Sequence, residues 1–104
     1  MKKVVNCKLY DTETARVICA LDSTENVFDH DYHDTCLYQT RKGAFFLAGR
    51  GNARSMWAHE TMYDGSAPGS GLQVIDKDTA RAYMEAAECF VGHFKEAGFT
   101  VEEG

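Results

Sequence analysis

The chain has 104 residues, of which 44% are hydrophobic and 26% charged, as expected for one folded domain spanning residues 1–104. Its formal net charge of −5 argues against a general nucleic-acid binder, because neutralising phosphates requires a surplus of Lys and Arg. No stretch approaches the ~20 apolar residues of a membrane-spanning helix, and the apolar run Val4–Val5 is too short for a signal peptide. We therefore expect a cytoplasmic protein whose four cysteines are reduced.

The N-terminal pattern predicts a β-hairpin over residues 3–21. Its strands, KVVNCKLY at 3–10 and ARVICAL at 15–21, alternate apolar and polar side chains, and the DTET stretch between them is typical of a turn. A symmetric register would place Cys7 and Cys19 on adjacent strands, where we expect them to pack as thiols.

A second hairpin is predicted over residues 35–49, after a polar connection that carries five acids and no base. Arg41-Lys42-Gly43 forms its three-residue turn, with Gly43 supplying a positive φ angle. The returning strand, AFFLAG at 44–49, is apolar on both faces, which predicts a central strand or one covered on both sides.

The remaining chain is predicted to contain a loop over residues 50–71, a short strand over 72–75 and one long helix over about 77–97. Within the loop, SMWAHETM at 55–62 fits either a helical turn or a short strand. Asp76 or Asp78 is expected to cap the helix, and Gly98 to end it. Apolar residues at spacings of three and four form a stripe that needs a sheet to cover it: Ala80, Tyr83, Met84, Ala87, Phe90, Val91 and Phe94. The predicted fold class is α+β, an antiparallel sheet of four or five strands with this helix packed on one face.

The DHDYHD stretch at residues 29–34 is the densest run of potential metal ligands. His30, His33 and Asp29 have the ligand chemistry that zinc prefers, so a divalent-metal-binding or metal-dependent hydrolase-like protein is the alternative function. The stretch lies in a predicted loop and not on a helix with paired histidines, which favours a solvated acidic loop without a metal. We expect no cofactor.

Nucleophilic catalysis is poorly supported. Cys36 could pair with His33, and Cys89 with His93 at i+4 of the predicted helix, but Cys89 lies beside the apolar stripe, where a thiol is usually inert. The Gly-Arg-Gly at 49–51 lacks the rest of a phosphate-binding loop. We therefore expect a protein that is not an enzyme.

The distribution of charge predicts a surface for a protein partner, or for a second copy of the chain in a homodimer. Arg41 and Lys42 lie at one hairpin tip, and Arg50 and Arg54 follow the returning strand, so the two pairs are expected at opposite ends. The opposing acids are Asp29, Asp31 and Asp34, and their neutralisation within the chain is the alternative explanation.

Aromatic residues near these charges leave two further alternatives open. Met56 and Trp57 form either an exposed contact patch or a lid over the core. The four basic residues could also act with Phe45 and Phe46 as a nucleic-acid-binding module, which the net charge opposes.

Two stretches, KLYDTETA at 8–15 and LYQTRKGAFFLAGRG at 37–51, resemble a family of small uncharacterised bacterial proteins found on phage, plasmid and integrative-element DNA. The chain departs from that pattern at Gly51-Asn52, where a pair of glycines is typical, and DHDYHD is not part of it. The resemblance implies a mobile-element setting and no catalytic residue. We therefore expect a non-enzymatic protein-binding module, including the narrower case of an inhibitor of a host protein that presents the acids at 22–34.

Overall fold

The computed structural model describes residues 1–21, 33–51, 57, 59–61, 65–67 and 69–104. In this part of the chain the fold is α+β, as predicted, with antiparallel strands and two short helices. The strands are β1 (Lys2–Val5), β2 (Lys8–Asp11), β3 (Arg16–Ala20), β4 (His33–Gln39), β5 (Phe45–Gly51), β6 (His59–Thr61), β7 (Gly65–Ala67) and β8 (Gly69–Ile75). The helices are α1 (Lys77–Ala86) and α2 (Val91–Glu96).

The central sheet has four strands in the order β3-β4-β5-β8. The predicted second hairpin is confirmed, because β4 and β5 pair from Gln39 opposite Phe45 to His33 opposite Gly51. Gly43 has a φ of 92° in the turn that joins them, as expected. β5 lies between β4 and β8, which confirms it as a central strand.

The predicted hairpin over residues 3–21 is wrong. β1 and β2 pair with each other across Asn6 and Cys7, whose φ angles of 52° and 61° are typical of a type I′ turn. β3 then pairs with β4 instead of returning along β2. Cys7 is exposed at the tip of the β1–β2 ribbon, so it does not lie opposite Cys19.

The predicted long helix is interrupted at Glu88, which has a φ of 55°. The Glu88 N–H donates to the Glu85 carbonyl and the Cys89 N–H to the Met84 carbonyl, each at 3.1 Å, which is the Schellman ending of a helix. α2 ends in the same way at Gly98, as expected, with a φ of 94°.

The interruption also redirects part of the predicted apolar stripe. Ala80 and Met84 are fully buried against the sheet. Phe90, immediately before α2, is 79% exposed, and Val91 is exposed as well. These last two residues therefore lie outside the core.

Side chains pack against both faces of β5, as its sequence predicted. The helix-side cluster consists of Leu37, Phe45, Leu47, Trp57, Ala80, Met84 and Ala97. The ribbon-side cluster consists of Tyr10, Phe46, Ala48 and Leu72. In the ribbon-side cluster, the ring of Phe46 stacks on Tyr38 at 5.1 Å and meets the edge of Tyr10 at 5.7 Å.

Trp57 is a lid over the core and not an exposed contact residue, because only 8% of it is accessible. Its Nε1–H donates to the buried hydroxyl of Thr35 at 2.6 Å. A Cβ atom at Gly71 would lie 3.2 Å from the indole ring, so glycine leaves space for the tryptophan.

The segment predicted as a loop contains strands. β6 and β7 pair with each other, and β8 begins at Gly69, three residues before the predicted start of the last strand. Of the two interpretations left open for SMWAHETM, the structure supports a strand over His59–Thr61. Neither α1 nor α2 has the length and apolar character needed to cross a membrane.

Candidate functional site: a basic cleft between two turns

A cleft of about 580 Å³ lies between the β1–β2 turn and the β4–β5 turn. Its volume is within the range of small-ligand and peptide-side-chain pockets. Three cationic side chains line it, from Lys8, Arg41 and Lys42. We call this the basic cleft.

The first wall of the basic cleft is the β1–β2 ribbon. Successive strand residues point to opposite faces, so Lys8 shares a face with Tyr10. Tyr10 is buried against Phe46, and this contact places the Lys8 face of the ribbon toward the sheet. The turn at Asn6 and Cys7 positions Lys8 at the end of the ribbon that lines the cleft.

The second wall is the β4–β5 turn. Thr40 closes it with three hydrogen bonds: its N–H donates to the Ala44 carbonyl at 2.8 Å, its hydroxyl accepts from the Ala44 N–H at 3.1 Å, and its carbonyl accepts from the Gly43 N–H at 3.0 Å. This closed turn presents Arg41 and Lys42 to solvent, as expected for a hairpin tip.

Among the described residues, those that line the cleft carry a surplus of positive charge. Asp11 is its acidic lining residue, and the Asp11 carboxylate already accepts a hydrogen bond from the Glu13 N–H at 2.9 Å. The ion pairs within 4 Å in the described residues lie elsewhere, between Arg16 and Glu96 and between Arg81 and Glu85. Within the described residues, none of the three cleft cations is held in an ion pair.

The two sequence stretches that carry the family resemblance meet at this cleft. Lys8–Asp11 and Thr14 belong to the first stretch, and Thr40–Lys42 and Ala44 to the second. The stretches are distant in sequence, so the fold and not local spacing brings them together. Sequence reasoning identified Arg41 and Lys42 but missed Lys8, because it assigned Lys8 to the wrong hairpin.

The remaining residues predicted to bind a partner are dispersed. Arg50 is at the opposite end of the β4–β5 hairpin from Arg41 and Lys42, as expected, and it is the cross-strand neighbour of Asp34. That pairing favours local neutralisation over a shared binding surface. Arg54, Met56, Asp29 and Asp31 lie outside the described residues.

The proposed metal ligands fall partly outside the described residues, which include neither His30 nor Asp29. His33 begins β4, and its Nδ1 lies 2.9 Å from the Thr35 hydroxyl oxygen. Within the described ranges, no three His, Cys, Asp or Glu side chains converge in a way that could hold a metal ion.

Neither predicted cysteine–histidine pair has the geometry that its pattern suggested. His33 and Cys36 are three residues apart on a regular strand, so their side chains point to opposite faces. Cys89 lies in the linker before α2, not one helical turn before His93. His93 instead packs beside the Phe90 ring at 5.8 Å.

The aromatic residues proposed for nucleic-acid stacking are in the core. Phe45 is 3% exposed and Phe46 is inaccessible, so neither ring can stack on a base. That part of the nucleic-acid interpretation is wrong.

A second cleft, of about 470 Å³, lies where α1 passes the ends of β3 and β4. Ala20, Leu21, His33, Thr35 and Tyr83 line it, together with Ala86 and Ala87. Sequence reasoning missed this cleft because it forms only when β3 pairs with β4. We call it the α1 cleft.

Comparison of the chain with protein-family models, with curated proteins and with solved structures gave no match.

Proposed function

We propose that this chain is a cytoplasmic, non-enzymatic protein-binding module whose basic cleft holds an acidic segment of a partner protein. The observation that carries the proposal is the convergence of Lys8, Arg41 and Lys42 in one cleft in which the acid, Asp11, is already hydrogen-bonded. Complementary charge speeds association and selects the partner.

The shape of the site supports a protein segment as its occupant. The walls are a two-stranded ribbon and a hairpin tip, so the cleft is open to an extended chain. On the outer face of the ribbon, the cross-strand neighbours Val4 and Leu9 are 66% and 58% exposed. Exposed aliphatic side chains beside a charged cleft match the mixed apolar and polar character of protein interfaces.

The net charge of the whole chain supports a protein, rather than a nucleic acid, as the binding partner. With a net charge of −5, a nucleic acid would be attracted only at the cleft and repelled by the rest of the surface. The resemblance to mobile-element proteins supports a host protein as the partner and its inhibition as the outcome of binding.

The test is affinity capture from host-cell lysate with three forms of the chain. We expect the unmodified chain to retain a stoichiometric partner and the variant R41E/K42E to lose it. Lys95→Glu is the matched control, because it introduces the same type of change on α2, away from the cleft, and should retain the partner.

Competition defines the chemistry of the captured segment. A synthetic peptide of glutamate and leucine residues should elute the partner, and its effect should weaken as salt is raised. Equal capture by all three forms would contradict the proposal. Elution by single-stranded DNA and not by the acidic peptide would also contradict it, and would assign the cleft to nucleic acid.

A further inference from the structure

The basic cleft borders an edge of β2 and not one of its faces. Successive residues of the ribbon, from Cys7 to Asp11, all line it. Side chains of a strand alternate between its two faces, so a cleft against one face would be lined by every second residue. The unbroken run of lining residues therefore places the cleft along an edge. Because β1 pairs with the other edge, this is the edge of β2 that faces away from β1.

The hydrogen-bond pattern of the β1–β2 ribbon shows which main-chain groups point toward this edge. In an antiparallel ribbon every second cross-strand pair exchanges hydrogen bonds, beginning with the pair that flanks the two-residue turn. Counting from the turn, the bonded pairs are Val5 with Lys8, Lys3 with Tyr10, and Met1 with Thr12. The Thr12 N–H donates to the Met1 carbonyl at 2.9 Å, which confirms this alternation. Leu9 lies between two bonded pairs, so its N–H and C=O point away from β1.

The edge at Leu9 has room for a further strand. In the part of the chain that the structure describes, β2 forms a ladder with β1 alone. The Leu9 residue is 58% exposed. Farther along the same edge, the Asp11 carbonyl is already used, because it accepts from the Ala15 N–H at 3.0 Å. An added strand would therefore centre its hydrogen bonds on Leu9.

We propose that the acidic segment of the partner binds as an added strand, antiparallel to β2, at the edge beside Leu9. This inference rests on the proposed function, and it specifies the conformation and the residue pattern of the bound segment. In this mode of recognition the main chain of the edge strand supplies hydrogen bonds, here from the N–H and to the C=O of Leu9, and neighbouring side chains supply specificity. Antiparallel pairing is the more stable arrangement per residue.

The alternation of side chains along the added strand determines its sequence pattern. The partner residue opposite Leu9 lies on the outer face of the ribbon, where the side chains of Val4 and Leu9 are exposed, so an aliphatic residue fits there. The residues before and after it lie on the opposite face, which carries Lys8. Acidic side chains fit these two positions, because Lys8, Arg41 and Lys42 line the cleft. The partner segment is therefore an extended run of alternating acidic and aliphatic residues.

A second copy of this chain fits the same edge poorly. Two β2 strands paired at Leu9 would bring two basic clefts together, each with Lys8, Arg41 and Lys42. Like charges brought close together destabilise such a pairing, whereas an acidic strand supplies the opposite charge. Charge complementarity therefore selects a partner segment as the occupant.

Three capped peptides test this mode of binding by isothermal titration calorimetry. The parent is Ser-Glu-Val-Glu-Val-Glu-Ser, and the other two carry N-methyl groups either on both valines or on two of the glutamates. In the proposed strand the valine amides point toward β2 and the glutamate amides away from it. Methylation of the valines should therefore weaken binding to the unmodified chain about tenfold or more, and methylation of the glutamates should leave it within about twofold.

Hydrogen exchange of the chain locates the added strand. Without peptide, the Leu9 amide should exchange faster than the Tyr10 amide, which bonds to β1. Saturation with the parent peptide should slow exchange at Leu9 about tenfold or more and leave Tyr10 nearly unchanged.

The variant R41E/K42E separates this inference from the proposed function, with Lys95→Glu as the matched control. Suppose that the parent peptide binds the unmodified chain and Lys95→Glu but not R41E/K42E. Equal affinity of the two methylated peptides, or fast exchange at Leu9 in the saturated chain, would then overturn the added strand and leave the proposed function intact. A parent peptide that binds none of the three forms, or all of them equally, would overturn both.

Discussion

Glu88 and Gly98 occupy the same position in two equivalent helix endings. Both have positive φ angles, and in both cases the next residue donates a hydrogen bond back to the last turn of the helix. The left-handed conformation costs an L-residue roughly 1–2 kcal/mol, whereas glycine adopts it freely. The ending of α1 is therefore built on a strained residue and that of α2 on a relaxed one.

We predict opposite effects of exchanging these residue types. Glu88→Gly should raise the free energy of unfolding by up to about 1 kcal/mol, because the gain at the turn exceeds the extra entropy of the unfolded chain. Gly98→Ala should lower it by about 1 kcal/mol. Urea unfolding monitored by circular dichroism measures both, and loss of stability in Glu88→Gly would contradict the assigned conformation.

The carboxylate of Asp76 is expected to make the stability of the fold depend on pH. Its carboxylate caps α1 by accepting from the Thr79 N–H at 2.7 Å, and hydrogen bonds from the side chain and backbone of Thr79 lower the pKa of Asp76. A lowered folded-state pKa stabilises the fold above the ordinary aspartate range, and this stabilisation is lost as the pH falls below about 4.

Two substitutions of Asp76 should differ in how Tm responds to pH. Asp76→Asn keeps a capping oxygen, so it should retain Tm at neutral pH and show a smaller loss of Tm on acidification than the unmodified chain. Asp76→Ala removes the cap and should lower Tm at neutral pH too. Thermal unfolding between pH 2.5 and 7 separates these outcomes; identical acid sensitivity of the Asn variant and the parent would show that Asp76 has no such role.

At the scale of elements, the β1–β2 ribbon depends on the sheet for its stability. A two-stranded ribbon is marginally stable in water unless an apolar face is covered. Here the covered residue is Tyr10, which is 6% exposed and packs against Phe46. Lys3 adds a hydrogen bond at 3.4 Å from its Nζ to the Leu72 carbonyl.

We therefore predict that Tyr10→Ala releases the ribbon without unfolding the sheet. Hydrogen exchange should show ribbon amides losing protection while the amides of β4 and β5 keep it. Leu9→Ala is the matched control, because Leu9 is on the exposed face of the same strand and should leave protection unchanged. Parallel loss of protection throughout the sheet in Tyr10→Ala would show that the ribbon is integral to the core.

The contrast between the two predicted hairpins explains what local sequence can specify. The β4–β5 hairpin was predictable because alternation in both strands and the need for Gly43 at a positive φ agree on one turn. The prediction of the first hairpin failed because Asn6 and Cys7 reverse the chain inside a run whose alternation of apolar and polar residues continues through the turn. The partner of β3 is β4, and this pairing is non-local, so no nearby residue specifies it.

The predictions of one long helix and of the complete candidate site failed for related reasons. Glu88 is an ordinary helix-forming residue, and the spacing of apolar residues continues through it, so no sequence signal marks the interruption. The charged pair Arg41 and Lys42 was found from its turn, whereas the place of Lys8 in the basic cleft depends on the tertiary arrangement.

For the whole molecule, β5 is the element on which both core clusters depend. Phe46 and Leu47 are adjacent and inaccessible, and they point to opposite faces of the sheet. Because the two clusters are joined through one strand, their stabilities should be coupled. Loss of packing on one face of the sheet should then also destabilise the cluster on the other face.

We predict that Phe46→Ala and Leu47→Ala lower the midpoint of the same cooperative unfolding transition. Removal of such buried side chains costs about 3–5 kcal/mol for phenylalanine and 2–5 kcal/mol for leucine, a large part of the stability of a small domain. Fluorescence of Trp57 reports on the helix-side cluster, and far-ultraviolet circular dichroism on the whole backbone. In Phe46→Ala, both signals should shift together in urea, although the substitution is on the ribbon side. If the Trp57 transition instead keeps its midpoint while the circular dichroism shifts, the two faces unfold independently and β5 does not couple them.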